Sequence, residues 1–158
     1  MTDPTIRIRG LALTDLDIAV AIHEDAFGVE AWDRKAIAEI MAMPGAVGRL
    51  AFDDRADAPL PLGFALILLV ASDAELLTLA VAHRVRRLGV GTMLLQDFFH
   101  QALRVGATNA FLEVAEDNIP AQCLYARLGF RKEGMRRDYY RRPGNKRIAA
   151  HLLRRPLP

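Results

Sequence analysis

The fold is decided by one stretch of the sequence, Leu79-Ala80-Val81-Ala82-His83-Arg84-Val85-Arg86-Arg87-Leu88-Gly89-Val90-Gly91-Thr92. An apolar strand ends here, and a loop rich in arginine and glycine opens an amphipathic helix. The first N–H groups of a helix are unpaired and lie at the positive end of the helix dipole, so they suit phosphate oxygens. Glycine lets a ligand approach the backbone where a Cβ would intrude. The pattern predicts a phosphate-binding loop, to which Arg86 and Arg87 add charge.

Two familiar nucleotide-binding loops do not match this stretch. The P-loop requires a lysine after its last glycine, and Thr92 stands there. The dinucleotide fingerprint requires a third glycine three residues after Gly91, where the chain has Leu94. The alternative to a phosphate site is a glycine-containing turn that only leads from strand to helix.

Hydrophobic patterns on both sides of the loop predict an α/β fold with the element order β-α-α-β-β-β-α-β-α-β-β. One helix is expected after Thr14 or Asp15 and another after Asp33, and each of these residues is a suitable N-cap. Two more helices are expected over residues 91–105 and 120–128, and a polar turn with two prolines over residues 53–61. The expected strands are residues 6–9, 47–52, 63–70, 75–81, 109–114, 130–140 and 147–153.

Length and composition indicate one domain, residues 1–158, without a metal or a membrane anchor. Hydrophobic residues make up 52% of the 158, which is enough for a core and excludes wholesale disorder. The longest apolar run, residues 60–71, is too short to cross a bilayer. Cys123 is a lone cysteine, expected to be buried and inert, and no Cys/His cluster has zinc spacing. No signal peptide is evident, so we expect a cytoplasmic protein.

The charges are divided unevenly along the chain. Residues 1–80 hold 6 Lys/Arg and 13 Asp/Glu, a balance of −7, whereas residues 81–158 hold 15 and 6, a balance of +9. A basic half suits a polyanion such as a phosphorylated cofactor, a nucleic acid or an acidic surface. Because 18 of the 21 basic residues are arginine, genome composition and solvated faces are the alternative explanation.

The loop resembles the Arg/Gln-x-x-Gly-x-Gly/Ala acetyl-CoA loop of the GCN5-related N-acetyltransferase (GNAT) superfamily. The resemblance implies a single GNAT domain, whose mixed, mostly antiparallel sheet has about seven strands and about four flanking helices. It also implies that loop amides hold the CoA pyrophosphate while the preceding strand lies along the pantetheine. The cofactor-binding residues implied in this way are Leu79, Ala80, Val81, Arg86, Arg87, Leu88, Gly89, Val90, Gly91 and Thr92.

A second segment, residues 111–130, is similar to the Leu-Glu-Val…Asn…Ala…Leu-Tyr…Leu-Gly-Phe signature of the RimI-type ribosomal-protein-alanine N-acetyltransferases. The resemblance implies that Glu113 is the catalytic base, Tyr125 the catalytic acid and Asn118 a cofactor ligand. The chemistry is consistent, because an ammonium must lose a proton before it attacks a thioester and the departing thiolate must gain one. A backbone N–H of the 79–81 strand would polarise the carbonyl oxygen.

Each assignment has a structural alternative. Glu113 could be exposed on an edge strand or belong to a surface ion pair, and Asn118 could be only a helix cap. Tyr125 could be a core aromatic whose hydroxyl is bound to the backbone. Cys123 is rejected as an acyl carrier because no histidine partner accompanies it.

The acceptor is expected to be the N-terminal α-amine of a protein such as ribosomal protein S18. The segment Arg136-Arg-x-Tyr-Tyr140 matches RimI-type relatives, and Tyr139 or Tyr140 is the candidate to line the acceptor site. The last strand departs from the pattern, because Lys146-Arg147 stands where relatives carry an acidic residue. The alternative is a small-molecule amine: a polyamine, an amino acid or an antibiotic.

The sequence disfavours two further functions and is compatible with more than one oligomeric state. A nucleic-acid-binding module is disfavoured because basic and aromatic residues are not interleaved, except around Tyr139 and Tyr140. A binding-only acetyl-CoA sensor is disfavoured by the presence of both Glu113 and Tyr125. Either a monomer or a homodimer is compatible with the sequence.

Overall fold

A computed structural model describes residues 3–55 and 57–158 of the chain. One seven-stranded sheet has the strand order β1-β2-β3-β4-β5-β7-β6, and all its neighbouring strands are antiparallel except β4 and β5. The predicted α/β fold and element order are confirmed. The elements are β1 (Ile6–Gly10), α1 (Leu16–Phe27), α2 (Arg34–Met41), β2 (Ala46–Asp53), β3 (Leu60–Val70), β4 (Asp73–Val81), α3 (Val90–Arg104), β5 (Asn109–Ala115), α4 (Ile119–Arg127), β6 (Arg131–Arg142) and β7 (Lys146–Pro156).

The predicted turn over residues 53–61 is too long at its C-terminal end, because β3 already begins at Leu60. Pro61 lies within the strand, opposite Phe52, where the register between β2 and β3 shifts at a β-bulge. A bulge tolerates proline because the strand needs no ladder hydrogen bond from that position. The two prolines in this polar segment therefore predicted a turn that is longer than the one in the structure.

Helices cover both faces of the sheet. Leu94, Leu95 and Phe98 of α3 pack on one face, in a core that α4 joins through Tyr125. Ala19 of α1 and Ile37 of α2 pack on the other face. Strand β3 is central, so alternate residues of this strand are buried against opposite layers, as expected for a strand covered on both sides. Each large, fully buried side chain contributes roughly 1.5–3 kcal/mol to folding.

Candidate active site

The two parallel strands of the sheet separate halfway along their length. Strands β4 and β5 pair only from Asp73 opposite Asn109 to Leu76 opposite Leu112. At that point β4 contains a β-bulge, since Leu66 of β3 pairs with Thr78 and Ile67 with Leu76, which leaves Leu77 as an extra residue. Bulges bend a strand and occur beside active sites. Residues 77–81 of β4 therefore turn a free backbone edge toward a cleft.

The predicted cofactor residues Leu79, Ala80 and Val81 lie on this splayed part of β4. Their other edge is paired with β3, so the strand is fixed in position. A main chain that is held on one side and open on the other can hydrogen-bond an extended ligand as a neighbouring strand would.

The Arg/Gly loop lies at the end of the same strand. It passes through a 3-10 turn, His83–Val85, and reaches α3 at Val90. Within the described residues, no hydrogen bond uses the backbone N–H groups of positions 87–92. Six unpaired donors near a helix start are suited to an anion, and the phosphate-binding role of this loop stays a prediction.

The two glycines of this loop have different reasons to be glycine. Gly89 has a φ of +89°, and an added Cβ would meet nothing within 4 Å, so its open side is available to a ligand. At Gly91 a Cβ would lie 3.1 Å from Leu124 Cδ2. Glycine at position 91 is therefore favoured by the packing of α3 against α4, and close approach of a ligand there stays a prediction.

The two loop arginines also differ. The Arg86 guanidinium lies 3.4 Å from the His83 Nε2 atom and donates to the Ala26 carbonyl at 3.4 Å, near the C-terminal end of α1. The Arg87 side chain is exposed and has no partner in the described part of the chain. Arg87 is the less constrained of the two cations.

Glu113 lies on β5 and points to the sheet face that α1 and α2 cover, because Leu112 and Val114 face the opposite core. Its carboxylate is 22% exposed and forms an ion pair with Arg136, with Nε 3.0 Å from Oε1. An ion pair was one of the alternatives for this residue. Both partners line a cavity of about 510 Å³, together with Glu75, Phe111 and Leu152. Burial, and then the neighbouring Glu113, raise the pKa of Glu75.

Tyr125 lies on α4 and is only 7% exposed, with its ring edge-on to Phe130. Burial raises its pKa, so the phenol keeps its proton. Among the described residues, every side-chain N or O atom that is sealed from solvent has a hydrogen-bond partner. The Tyr125 hydroxyl has no such partner, so it must reach solvent. The alternative of a hydroxyl bound to the backbone is wrong.

Tyr140 interacts electrostatically with both of these residues. It is half-buried, and its pKa is raised by burial first, then by Tyr139 and by Glu113. Tyr140 also contributes to the raised pKa of Tyr125. Tyr140 is therefore within electrostatic range of both candidate catalytic groups, which lie on different elements.

Asn118 caps α4, and its Oδ1 accepts the Ala121 N–H at 3.3 Å. The capping role is confirmed. Its contact with a cofactor stays a prediction, for which the side-chain amide N–H₂ has no competing partner among the described residues.

His23 is a site residue that sequence reasoning missed. It is buried on α1, where Nδ1 accepts the Trp32 N–H at 3.0 Å and Nε2 lies 3.1 Å from Thr78 Oγ1. Because Nδ1 accepts, the proton is on Nε2, which donates to the threonine. Burial lowers the pKa of His23 to about 4. The ring links α1 to the bulged part of β4. In the sequence, the polar residue Thr78 within an apolar strand was the one signal that could have indicated this contact.

Cys123 is exposed, contrary to expectation. The described residues contain no group of three or more His, Cys, Asp or Glu side chains placed to hold a metal ion. In the same part of the chain, no helix combines the length and apolarity needed to span a membrane.

Residues 17–130 match the sequence profile described as the Acetyltransferase (GNAT) family. The chain belongs to this family and is an acyltransferase.

Relatives whose names state a more specific activity are similar to this protein over most of the chain. The [ribosomal protein bS18]-alanine N-acetyltransferase of Salmonella typhimurium is 32% identical over 130 residues, which cover 82% of this chain and 84% of that protein. The crystal structure of the ribosomal-protein-S18-alanine N-acetyltransferase from Escherichia coli has a TM-score of 0.87 at 27% identity, and covers 97% of this chain and 94% of that one. Arabidopsis thaliana NAA60 in complex with acetyl-CoA shares the fold, with a TM-score of 0.84 at 20% identity over 96% of this chain and 98% of its own.

Proposed function

We propose that this chain transfers the acetyl group of acetyl-CoA to the N-terminal α-amine of a protein, with ribosomal protein S18 as the first acceptor to test. The observation that carries the proposal is the opening between β4 and β5 beside the unpaired N–H groups of residues 87–92. Residues 1–158 would form one acetyltransferase domain that works in the cytoplasm. Two relatives named as S18-alanine N-acetyltransferases support the choice of acceptor.

The residues at the opening fit acetyl-CoA. The backbone of Leu79, Ala80 and Val81 would bind the extended pantetheine arm, and residues 86–92 the pyrophosphate, with Arg87 supplying charge. The Asn118 amide would donate a further hydrogen bond. Acetyl-CoA supplies the thioester carbonyl that the acceptor amine attacks.

Glu113 would take the proton of the acceptor ammonium, directly or through one water. Its carboxylate borders the cavity on the α1/α2 face, so the amine would reach it from that side. As the N–C bond forms, a free N–H on residues 79–81 would stabilise the charge that develops on the carbonyl oxygen. Arg136 would orient the carboxylate through its 3.0 Å contact, and its side chain, 57% exposed, would be displaced when the substrate binds.

Tyr125 would donate its proton to the sulfur as the C–S bond breaks. A general acid must be protonated before the step, and burial ensures this by raising the pKa of the phenol. The hydroxyl has no hydrogen-bond partner among the described residues, so it is available to the thiolate.

The proposal is tested by thiol release from acetyl-CoA in the presence of a peptide with the N-terminal sequence of ribosomal protein S18, beside a panel of small amines. We expect release with the peptide, and mass spectrometry should find one acetyl group on its α-amine. Release with a small amine alone would keep the chemistry and replace the acceptor. No release with any amine, while acetyl-CoA binds, would contradict the proposed function.

A further inference from the structure

Arg142, at the end of β6, joins two carboxylates from distant parts of the chain. Its Nε and Nη2 donate to the two carboxylate oxygens of Asp117 at 2.8 and 2.9 Å, a bidentate geometry. Its Nη1 donates to the Glu30 carboxylate. The guanidinium also lies over the Tyr140 ring, 5.4 Å from its centroid. We call the group Glu30, Arg142 and Asp117 the Arg142 bridge.

The Arg142 bridge joins three segments that link helices and strands of the fold. Glu30 belongs to the turn Gly28–Glu30 between α1 and α2, and Asp117 to the connection between β5 and α4. Arg142 lies beside the turn between β6 and β7. Glu30 and Arg142 are 112 positions apart in sequence, so this contact closes a long loop that local structure does not hold.

Ionic contact, rather than core packing, holds the turn Gly28–Glu30 here. None of its three residues is buried, and Val29 is fully exposed. Exposed ion pairs contribute little to stability, but the Arg142 side chain is only 20% exposed and its fork is shared between two carboxylates. Such geometry is specific to arginine, because lysine offers a point charge without a planar fork.

The bridge borders the candidate active site on two sides. Asp117 is the residue before Asn118, and Arg142 lies over Tyr140, one of the two tyrosines that the sequence predicts at the acceptor site. Glu30 also contributes to the raised pKa of Tyr140. The bridge thus fixes the segments that surround the acceptor side, while its own members are not placed to touch reacting atoms.

We infer that Arg142 is a positioning residue that sets the binding of the acceptor. It holds the α1–α2 turn and the β5–α4 connection against the β6–β7 hairpin, and so holds the end of the strand that carries Tyr140. This inference rests on the proposed function. It predicts that loss of the bridge weakens acceptor binding and leaves the cofactor loop unaffected, because the hydrogen bonds of the bridge do not involve residues 86–92.

Steady-state kinetics with the S18 peptide test the inference. We expect Arg142→Gln to raise the acceptor KM roughly 10-fold, with kcat and the acetyl-CoA Kd changed less than about threefold. Arg142→Lys should recover only part of the loss. The matched control is Arg141→Gln, since Arg141 is the exposed neighbour whose side chain has no ion pair within the described residues. An unchanged acceptor KM in Arg142→Gln would overturn the inference.

A double-mutant cycle and hydrogen exchange separate this role from general destabilisation. Glu30→Gln should raise the acceptor KM in the wild-type background and add little once Arg142 is replaced, because the two share one contact. Without any substrate, Arg142→Gln should speed amide exchange in residues 28–33 and leave residues 87–92 unchanged; equal exchange in residues 28–33 would overturn the bridge itself. Failure of the wild type to acetylate any amine would instead count against the proposed function, and the exchange measurement would still stand.

Discussion

At the scale of single residues, Tyr125 and Glu113 lie on neighbouring elements but in different environments, which suits them to different proposed roles. Tyr125 is enclosed by the α3/α4 core, where burial favours the neutral phenol. Glu113 alternates out of that core and meets Arg136 on the opposite face. The proposed acid therefore comes from the α4 side and the proposed base from the β5 side, and transfer between amine and thioester requires both.

Tyr125→Phe removes the proposed acid and keeps the ring that packs on Phe130. Turnover should fall roughly 100-fold or more, because the thiolate must then leave without a proton donor. Isothermal titration with acetyl-CoA and thermal unfolding serve as controls, and both should stay near the wild-type values. Unchanged turnover would remove Tyr125 from the mechanism.

Glu113→Gln preserves the shape of the side chain and removes its basicity. We expect turnover near neutral pH to fall roughly 100-fold and the rate to recover at higher pH, where more of the free amine is present without a base. The control is Glu39→Gln on α2, an exposed carboxylate in a 3.8 Å pair with Lys35, which should match the wild type. A pH profile that does not change in Glu113→Gln would favour a proton path through water alone.

At the scale of elements, the site is made by a strand that bends and by a helix that begins with unpaired donors. The bulge at Leu77 separates β4 from β5, and the loop that follows β4 delivers the N–H groups of residues 87–92 to the same end of the cleft. Neither the bulge nor the loop would form the candidate site alone. The bulge opens the backbone edge, while the left-handed φ of Gly89 turns the chain into α3.

Gly89→Ala and Gly106→Ala form a matched pair that separates strain from binding. Both glycines have positive φ, +89° and +76°, both have open space where a Cβ would lie, and they flank the two ends of α3. Each substitution should cost about 1–2 kcal/mol of stability. Only Gly89→Ala should also weaken acetyl-CoA binding, roughly 10-fold, measured by titration calorimetry. Equal affinities for the two variants would place the pyrophosphate elsewhere.

At the scale of the whole molecule, one buried histidine links the layers around the site. His23 connects α1, the start of the α2 segment at Trp32 and the bulged strand through Thr78. It is stacked with Trp32 and neutral in the folded protein. The position of the splayed strand therefore depends on an imidazole that must stay uncharged.

This link predicts an acid-sensitive fold. The pKa of His23 is about 4 in the folded state against an ordinary value of 6.5, so between these pH values only the unfolded chain binds the proton. The free energy of unfolding should fall as pH drops from 6.5 to 4, by at most about 3 kcal/mol, and His23 should contribute no slope above pH 6.5. Urea titrations of wild type and His23→Gln should show a stability difference that shrinks over this range.

His100→Gln is the control for the acid titration, because His100 is exposed on α3. Its stability difference from the wild type should stay flat from pH 7 to 4. If the stability difference between the wild type and His23→Gln is also independent of pH, the buried ring does not resist protonation.

The sequence alone predicted the order of elements, which the structure confirms, and it proposed a phosphate loop and the candidate residues Glu113, Asn118 and Tyr125. These depend on local patterns: hydrophobic periods of two and 3.6 residues, an N-cap and a glycine required for positive φ. The turn over residues 53–61 was wrong at one end because proline is tolerated at a bulge that only the pairing with β2 creates.

Tertiary structure decided the partners. Nothing near Glu113 in the sequence indicates Arg136, and nothing near Glu30 indicates Arg142, which is 112 residues away. The opening between β4 and β5 likewise depends on the register with β3. Such contacts follow from which strands become neighbours and in what register, since a strand pairs with residues that may lie anywhere along the chain. Local patterns therefore fix what each segment becomes, and packing alone fixes which groups meet.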